Sequence, residues 1–174
     1  LDQTICSPTA TLAANTPVIG SGAWTVIAGT ATVTTPASPT SGVTGLTTGV
    51  NTFRWTITNG TCTPSTDDIT INVDELPTTA DAGLDQTICS PTATLAANTP
   101  VIGTGAWTVI AGTASVTSVN DPNSGVTGLT TGVNTFRWTI TNGTCAPSTD
   151  DITINVDELP TTADAGLDQT ICSP

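Results

Sequence analysis

The chain has 174 residues, 14 of them acidic and two arginine, with no lysine, no histidine and a formal net charge of −12. This composition excludes an imidazole base, a histidine metal ligand, a Schiff-base lysine and a Lys–Asn isopeptide crosslink. Two positive charges cannot follow a phosphate backbone, so nucleic acid is excluded as a partner, and no apolar run approaches the ~20 residues of a membrane helix.

Threonine supplies 42 residues, and with Val and Ile it suits pleated strands. In chain order, alternation and turn residues predict strands over residues 3–6, 10–14, 23–27, 31–34, 42–44, 51–58 and 68–73. Alternation is clearest in the last two. Phe53, Trp55 and Ile57 share one face against Arg54, Thr56 and Thr58; Ile69, Ile71 and Val73 point inward while Thr70 and Asn72 point out. Asn59-Gly60 closes the sixth strand as a turn. No stretch carries a helical period. The fold class is therefore all-β.

The pattern then repeats. Leu1-Asp2-Gln3-Thr4-Ile5-Cys6-Ser7-Pro8 returns at Leu84 and at Leu167, a period of 83 residues. Residues 1–83 and 84–166 differ at eight aligned positions, six of them within 32–40. That drifting segment reads as a surface loop or edge strand. The predicted units are 1–76, lacking its opening linker; 77–159; and 160–174, the linker and first strand of a truncated third repeat. The chain begins at Leu without a signal peptide pattern and reads as a window on a longer array.

Seven short strands in ~83 residues predict an immunoglobulin-like (Ig-like) two-sheet sandwich. Its core aromatics are predicted to be Trp24, Phe53, Trp55 and their counterparts Trp107, Phe136 and Trp138. Trp24 and Trp55 are placed where two facing sheets each contribute one ring. A small core of this size often needs a staple.

Five cysteines are present, Cys6, Cys62, Cys89, Cys145 and Cys172. Truncation of the third repeat explains the odd count. Two pairings are open. Cys6–Cys62 and Cys89–Cys145 stay within a repeat; Cys62–Cys89 and Cys145–Cys172 cross a boundary. A sandwich that starts its first strand at the pole of its last hairpin loop favours the pairs within a repeat, and strand exchange would favour the others. Zinc is a weak reading, since the spacing is wrong and no histidine is present. Disulfides imply an oxidising site, extracellular or at the cell surface.

The junction is acidic. Asp74, Glu75 and Asp81, with Asp150 and Asp151 brought near, form a candidate Ca²⁺ set, although no EF-hand or other calcium-loop spacing is present. The alternative is a solvated acidic linker and no cofactor. Asp67-Asp68 has no nucleophile, phosphate loop or metal partner beside it, so an enzyme is not predicted. Arg54 and Arg137 are predicted to pair with carboxylates across strands. Asn59-Gly60-Thr61 and Asn142-Gly143-Thr144 match the N-glycosylation triplet, a frequent coincidence in a Thr-rich chain.

The stretch Gly45-Leu46-Thr47-Thr48-Gly49-Val50-Asn51-Thr52-Phe53-Arg54-Trp55-Thr56-Ile57-Thr58-Asn59-Gly60-Thr61-Cys62 resembles the corner and sixth strand of Ig-like and PKD-like repeats in large cell-surface adhesins of Bacteroidetes, including SprB-type gliding adhesins. Ala80-Asp81-Ala82-Gly83-Leu84-Asp85-Gln86-Thr87-Ile88-Cys89 resembles their opening strand, and Ala23-Trp24-Thr25-Val26 followed by Gly29 their third. The resemblance implies export by the type IX pathway and display on the cell surface. One departure is Asn51, which stands where many relatives place the tyrosine of a tyrosine corner.

The function these readings predict is a structural and adhesive repeat of a long extracellular fibre or stalk, in cell adhesion or gliding motility. Its partners are neighbouring repeats, other copies in a bundle, and an external surface or polysaccharide. Two alternatives stay open: a filament self-assembled by strand exchange or lateral contacts, and a carbohydrate-binding module, which needs an exposed aromatic platform.

Overall fold

The computed structural model describes residues 1–172. Its strands are β1 (Gln3–Ile5), β2 (Thr9–Thr11), β3 (Ser21–Ala28), β4 (Thr32–Val33), β5 (Gly42–Thr44), β6 (Gly49–Thr58) and β7 (Ser65–Val73) in the first unit. The second unit has β8 (Gln86–Ile88), β9 (Thr92–Thr94), β10 (Thr104–Ala111), β11 (Ser115–Val116), β12 (Gly125–Thr127), β13 (Gly132–Thr141) and β14 (Ser148–Val156). Each unit packs a four-stranded sheet, ordered β1-β7-β6-β3 or β8-β14-β13-β10, on a three-stranded sheet, ordered β2-β5-β4 or β9-β12-β11. All pairings are antiparallel except β1 with β7 and β8 with β14.

The alternation of β6 and β7 sets the core. Asn51, Phe53 and Trp55 are buried on one side of β6, and Ile69, Ile71 and Val73 on one side of β7. Leu12 and Val43 close the core from the opposite layer. The six aromatics are all buried, the least so being Trp24 at 5% exposed. Trp24 and Trp55, however, do not come from facing sheets. They are direct cross-strand partners on β3 and β6, with ring centroids 5.1 Å apart. The two strands are neighbours in one sheet, so both rings rise from the same face, and the opposing layer answers with small aliphatic side chains.

The corner before β6 is built by Asn51. Its amide donates to Thr47 O at 2.8 Å and Gly49 O at 3.1 Å, with the side chain fully buried. A short amide thus satisfies locally the carbonyls of the turn that a tyrosine hydroxyl reaches from further away. Gly29 packs against this amide at φ +92, and a Cβ there would run into the Asn51 oxygen.

The drifting segment runs from β4 through the loop that leads to β5. Trp24 N donates to Pro36 O and Trp24 Nε1 to Pro39 O; in the second unit Trp107 N donates to Val119 O and Trp107 Nε1 to Asp121 O. The tryptophan reads backbone carbonyls, so the side chains there are free to differ.

Residues 167–172 form no strand, against the predicted opening strand of a third repeat, whose last residues, 173 and 174, lie outside the described residues. A three-residue edge strand exists only against a partner such as β7 or β14.

Arg54 pairs with Asp68 in register across β6 and β7, Nε to Oδ1 at 2.7 Å and Nη2 to Oδ2 at 2.8 Å; Arg137 and Asp151 repeat this. The guanidinium's hydrogen bonds hold each carboxyl below its usual range, against a desolvation that raises it. A depressed carboxyl stabilises the fold above its unfolded pKa and loses that contribution as pH falls through the folded value. Acid unfolding of Arg54→Gln, followed by circular dichroism, is therefore expected to show a shallower loss of stability below about pH 4 than the parent; an identical profile would remove the pair from the acid transition. Asn134 is the fully buried counterpart of Asn51. Asn134→Ala leaves the Thr130 and Gly132 carbonyls without their donor. It is expected to lower stability to urea by about 1–3 kcal/mol.

Candidate functional site at the junction of the two units

The site begins with the direction of β1. It runs parallel to β7 in the register Gln3↔Ile71 and Ile5↔Val73. Asp74 N donates to Ile5 O at 2.8 Å. Cys6 therefore emerges where β7 ends, while Cys62 lies in the loop where β7 begins. A nine-residue strand separates them, about 30 Å of extended chain. The predicted placement of both at one pole is overturned, because β1 runs parallel to β7 and Cys6 follows its last residue, Ile5.

Cys6 instead meets the β13–β14 loop of the second unit. It forms a disulfide with Cys145, with Cα atoms 4.9 Å apart and a sequence separation of 139. This is neither pairing predicted. Cys62 and Cys89 are free and exposed, as is Cys172. Cys145 is 6% exposed, so the bond is sealed from solvent on one side.

The loop around Cys145 is shaped for this contact. Asn142 and Gly143 turn the chain, with Cys145 N donating to Asn142 O at 3.1 Å. Gly143 adopts φ +50 directly over the Asp74 carboxylate, where a Cβ would collide with it. The open space lets Asp74 Oδ2 accept from Thr144 N at 2.7 Å and Thr144 Oγ1 at 2.9 Å. Asn142 Nδ2 donates to Glu75 O at 2.7 Å. The Asp74 side chain and the Glu75 carbonyl are thus held by the unit that follows.

The linker itself is bound to the second body. Thr78 N donates to Ile102 O, and Thr78 Oγ1 accepts from Val101 N and Ile102 N. Ala80 N donates to Ser148 Oγ at 2.8 Å and Ala82 N to Asp150 Oδ2 at 2.7 Å. Ala80 and Ala82 join the second core. Asn98 bridges Thr79 O and Asp81 N.

This arrangement disperses the candidate Ca²⁺ set. Asp74 faces Thr144, Asp81 accepts from Gly83 N at 2.9 Å, Asp150 holds Ala82 N, and Asp151 holds Arg137. Among the described residues no three acidic or cysteine side chains converge. The four aspartates of the set each take an N–H or O–H donor, Glu75 enters the joint through its backbone carbonyl, and the junction is fastened by hydrogen bonds and sulfur. Of the two sequon asparagines, Asn142 is engaged at the joint and Asn59 is exposed. Asn142, Thr144, Thr78 and Ser148 were not singled out as joint residues from the sequence.

No protein-family model matches the chain, and no curated protein matches it. Among solved structures it is similar to the insect immune protein hemolin, with 11% identity and a TM-score of 0.51 over 89% of this chain. The chain spans 44% of hemolin's length. Murine CEACAM1b follows, with 16% identity and a TM-score of 0.48 over 90% of this chain and 96% of that one. The PKD domain from KIAA 1837 protein has 23% identity and a TM-score of 0.42 over 50% of this chain and 92% of that one. At these identities the hemolin likeness speaks to fold alone: the chain is a tandem of Ig-like β-sandwiches.

Two outcomes test the joint. Non-reducing peptide mapping is expected to recover Cys6 linked to Cys145, and recovery of Cys6–Cys62 would refute it. Asp74→Ala removes the acceptor of two short hydrogen bonds. It is expected to speed reduction of that disulfide by dithiothreitol about tenfold, the equivalent of ~1.4 kcal/mol.

Proposed function

We propose that this chain is a structural and adhesive segment of a long extracellular fibre or stalk, with unit boundaries at 76/77 and 159/160. The observation that carries the reading is the fastened joint: Cys6–Cys145, flanked by the Asp74–Thr144 and Glu75–Asn142 hydrogen bonds. A joint closed on several sides fixes the direction from one unit to the next, which a spacer needs and a flexible tether does not. Sequence resemblance supports placing it in large Bacteroidetes surface adhesins of the gliding type, exported by the type IX pathway. The disulfide supports an oxidising, extracellular location. Among the described residues no helix is long and apolar enough to cross a membrane.

The disulfide also defines a load path. Tension entering near Leu1 passes at Cys6 directly to Cys145, so the intervening stretch, a sequence separation of 139, is bypassed. A carbohydrate-binding reading is not favoured, because all four tryptophans and both phenylalanines are buried; partner surfaces would have to be polar or aliphatic.

Single-molecule pulling from the two ends tests the mechanical reading. Adding reductant is expected to lengthen the fully stretched chain by the bypassed stretch, whose sequence separation of 139 corresponds to about 450–500 Å. Equal contour lengths with and without reductant would overturn it.

A further inference from the structure

One peptide bond in the second unit is placed for chemistry that the joint does not use. Asp121-Pro122 lies in the drifting segment, where the first unit has Ser38-Pro39. Asp121 is exposed in the loop between β11 and β12. An aspartyl–prolyl bond is the most acid-labile link in a polypeptide, for two reasons. The side-chain carboxyl closes a five-membered ring on its own carbonyl carbon. The tertiary amide nitrogen of proline also accepts a proton and leaves more readily than a secondary one.

The fold holds this bond in a turn that serves both steps. Ser124 N donates to Asp121 O at 3.1 Å, which closes the turn over Pro122 and Asn123. A second donor, Trp107 Nε1 on a ring only 2% exposed, reaches the same oxygen at 3.1 Å. Two N–H groups thus meet at the carbonyl oxygen, where negative charge gathers when the carbon is attacked. Asn123 N donates to Asp121 Oδ1 at 2.9 Å, so the carboxyl is folded toward the peptide that follows it. Asp121 N donates to Ser118 O and Pro122 O accepts from Ala97 N, both at 3.0 Å, which fixes the backbone on each side. These partners are all neutral, and the two cations of the chain, Arg54 and Arg137, are engaged by Asp68 and Asp151. The first unit lacks the arrangement. Its Trp24 Nε1 bonds Pro39 O, one residue further along, and Ser38 has no carboxyl.

The geometry points to Asp121–Pro122 as a self-cleaving bond, hydrolysed by the chain's own groups. An oxygen of the Asp121 carboxyl attacks the Asp121 carbonyl carbon, and charge develops on the oxygen held by Trp107 and Ser124. The C–N bond to Pro122 then breaks. Its electron pair stays on nitrogen, which takes up the carboxyl proton. Asp121 is left as a cyclic anhydride, which one water opens to two carboxyl groups. The net change is one water consumed, a new carboxy terminus at Asp121 and a new amino terminus at Pro122.

The cut does not separate the pieces. β8 to β11 lie before it and β12 to β14 after it, and the pairs β9–β12, β11–β12, β10–β13 and β8–β14 all span it. Cys6 and Cys145 fall on opposite sides as well, so the disulfide joins the two fragments covalently. Tension that crosses from Cys6 to Cys145 bypasses the cut, and the nicked chain carries load until that bond is reduced. Cleavage stands without the fibre reading; only this load-bearing consequence rests on it.

The test incubates the whole folded chain at about pH 5, where a share of carboxyl groups carries a proton, and follows it by mass spectrometry and gels. Under reducing conditions, fragments 1–121 and 122–174 are expected to accumulate about tenfold faster than from the same chain unfolded in urea at that pH. The non-reducing gel should keep a single band. Asp121→Ser installs the residue that the first unit already accommodates at this place. It is expected to abolish the fragments and leave the circular dichroism unchanged. Ser38→Asp puts an aspartyl–prolyl bond in the first unit without the tryptophan donor, and that bond is expected to cleave about tenfold more slowly than Asp121–Pro122. Cleavage no faster in the folded chain than in the unfolded one overturns the inference, as does equal cleavage at the two sites. Separate fragments on the non-reducing gel overturn the load-bearing consequence alone.

Discussion

Everything at the joint depends on the parallel pairing of β1 with β7. Parallel neighbours run in the same direction, so the residue following β1 arrives where the residue following β7 arrives. Cys6 and Asp74 are thereby delivered side by side at the far pole of the first unit, facing the loop of the second. Had β1 run antiparallel to its neighbour, Cys6 would point back toward Cys62 and each unit could close on itself. A three-residue ladder thus decides whether sulfur staples a domain or a chain of domains. The same pairing recurs between β8 and β14, with Asp157 N donating to Ile88 O at 2.8 Å.

Much of the fold was legible in the sequence, because its signals are local. Period-two alternation in residues 51–58 and 68–73 predicts β6 and β7, and glycine- and proline-rich turns bound the shorter strands. The predicted 42–44 strand coincides with β5, and the others differ at their ends by a few residues, where hydrogen bonding and not hydrophobicity decides. Trp24 and Trp55 were legible as core, but not as partners on one sheet, since burial reports a face and not a neighbour.

The joint was less legible, for a physical reason. Cys6–Cys145 joins residues 139 apart, and nothing within either neighbourhood encodes that distance. The reading of Cys6 and Cys62 at one pole treated the opening strand as a single element. In the structure it has two parts: residues 78–82 lie against the upper body of the second unit through Ser148 and Asp150, and β8 continues against β14 below. The acidic cluster misled in the same way. Carboxylates close in sequence suggest a cation, yet Asp74, Asp150 and Asp151 each meet a donor that only the tertiary structure supplies.

The pattern of difference between the two units follows from the joint. Near-identical tandem domains carry a risk of misassembly between units, because strands of one can pair within the other. Of the eight differences, six fall in the segment whose backbone carbonyls Trp24 and Trp107 bond. None falls at Cys6, at 59–62 or at 74–83, nor at the matching residues of the second unit. A unit in the middle of an array must present a donor at one pole and an acceptor at the other. A change in the loop therefore has to fit the acidic edge of the unit before it, and a change in that edge has to fit the loop of the unit after it. The sequence is held fixed where two units share one piece of chemistry, and most of its few differences fall in one segment away from the joint.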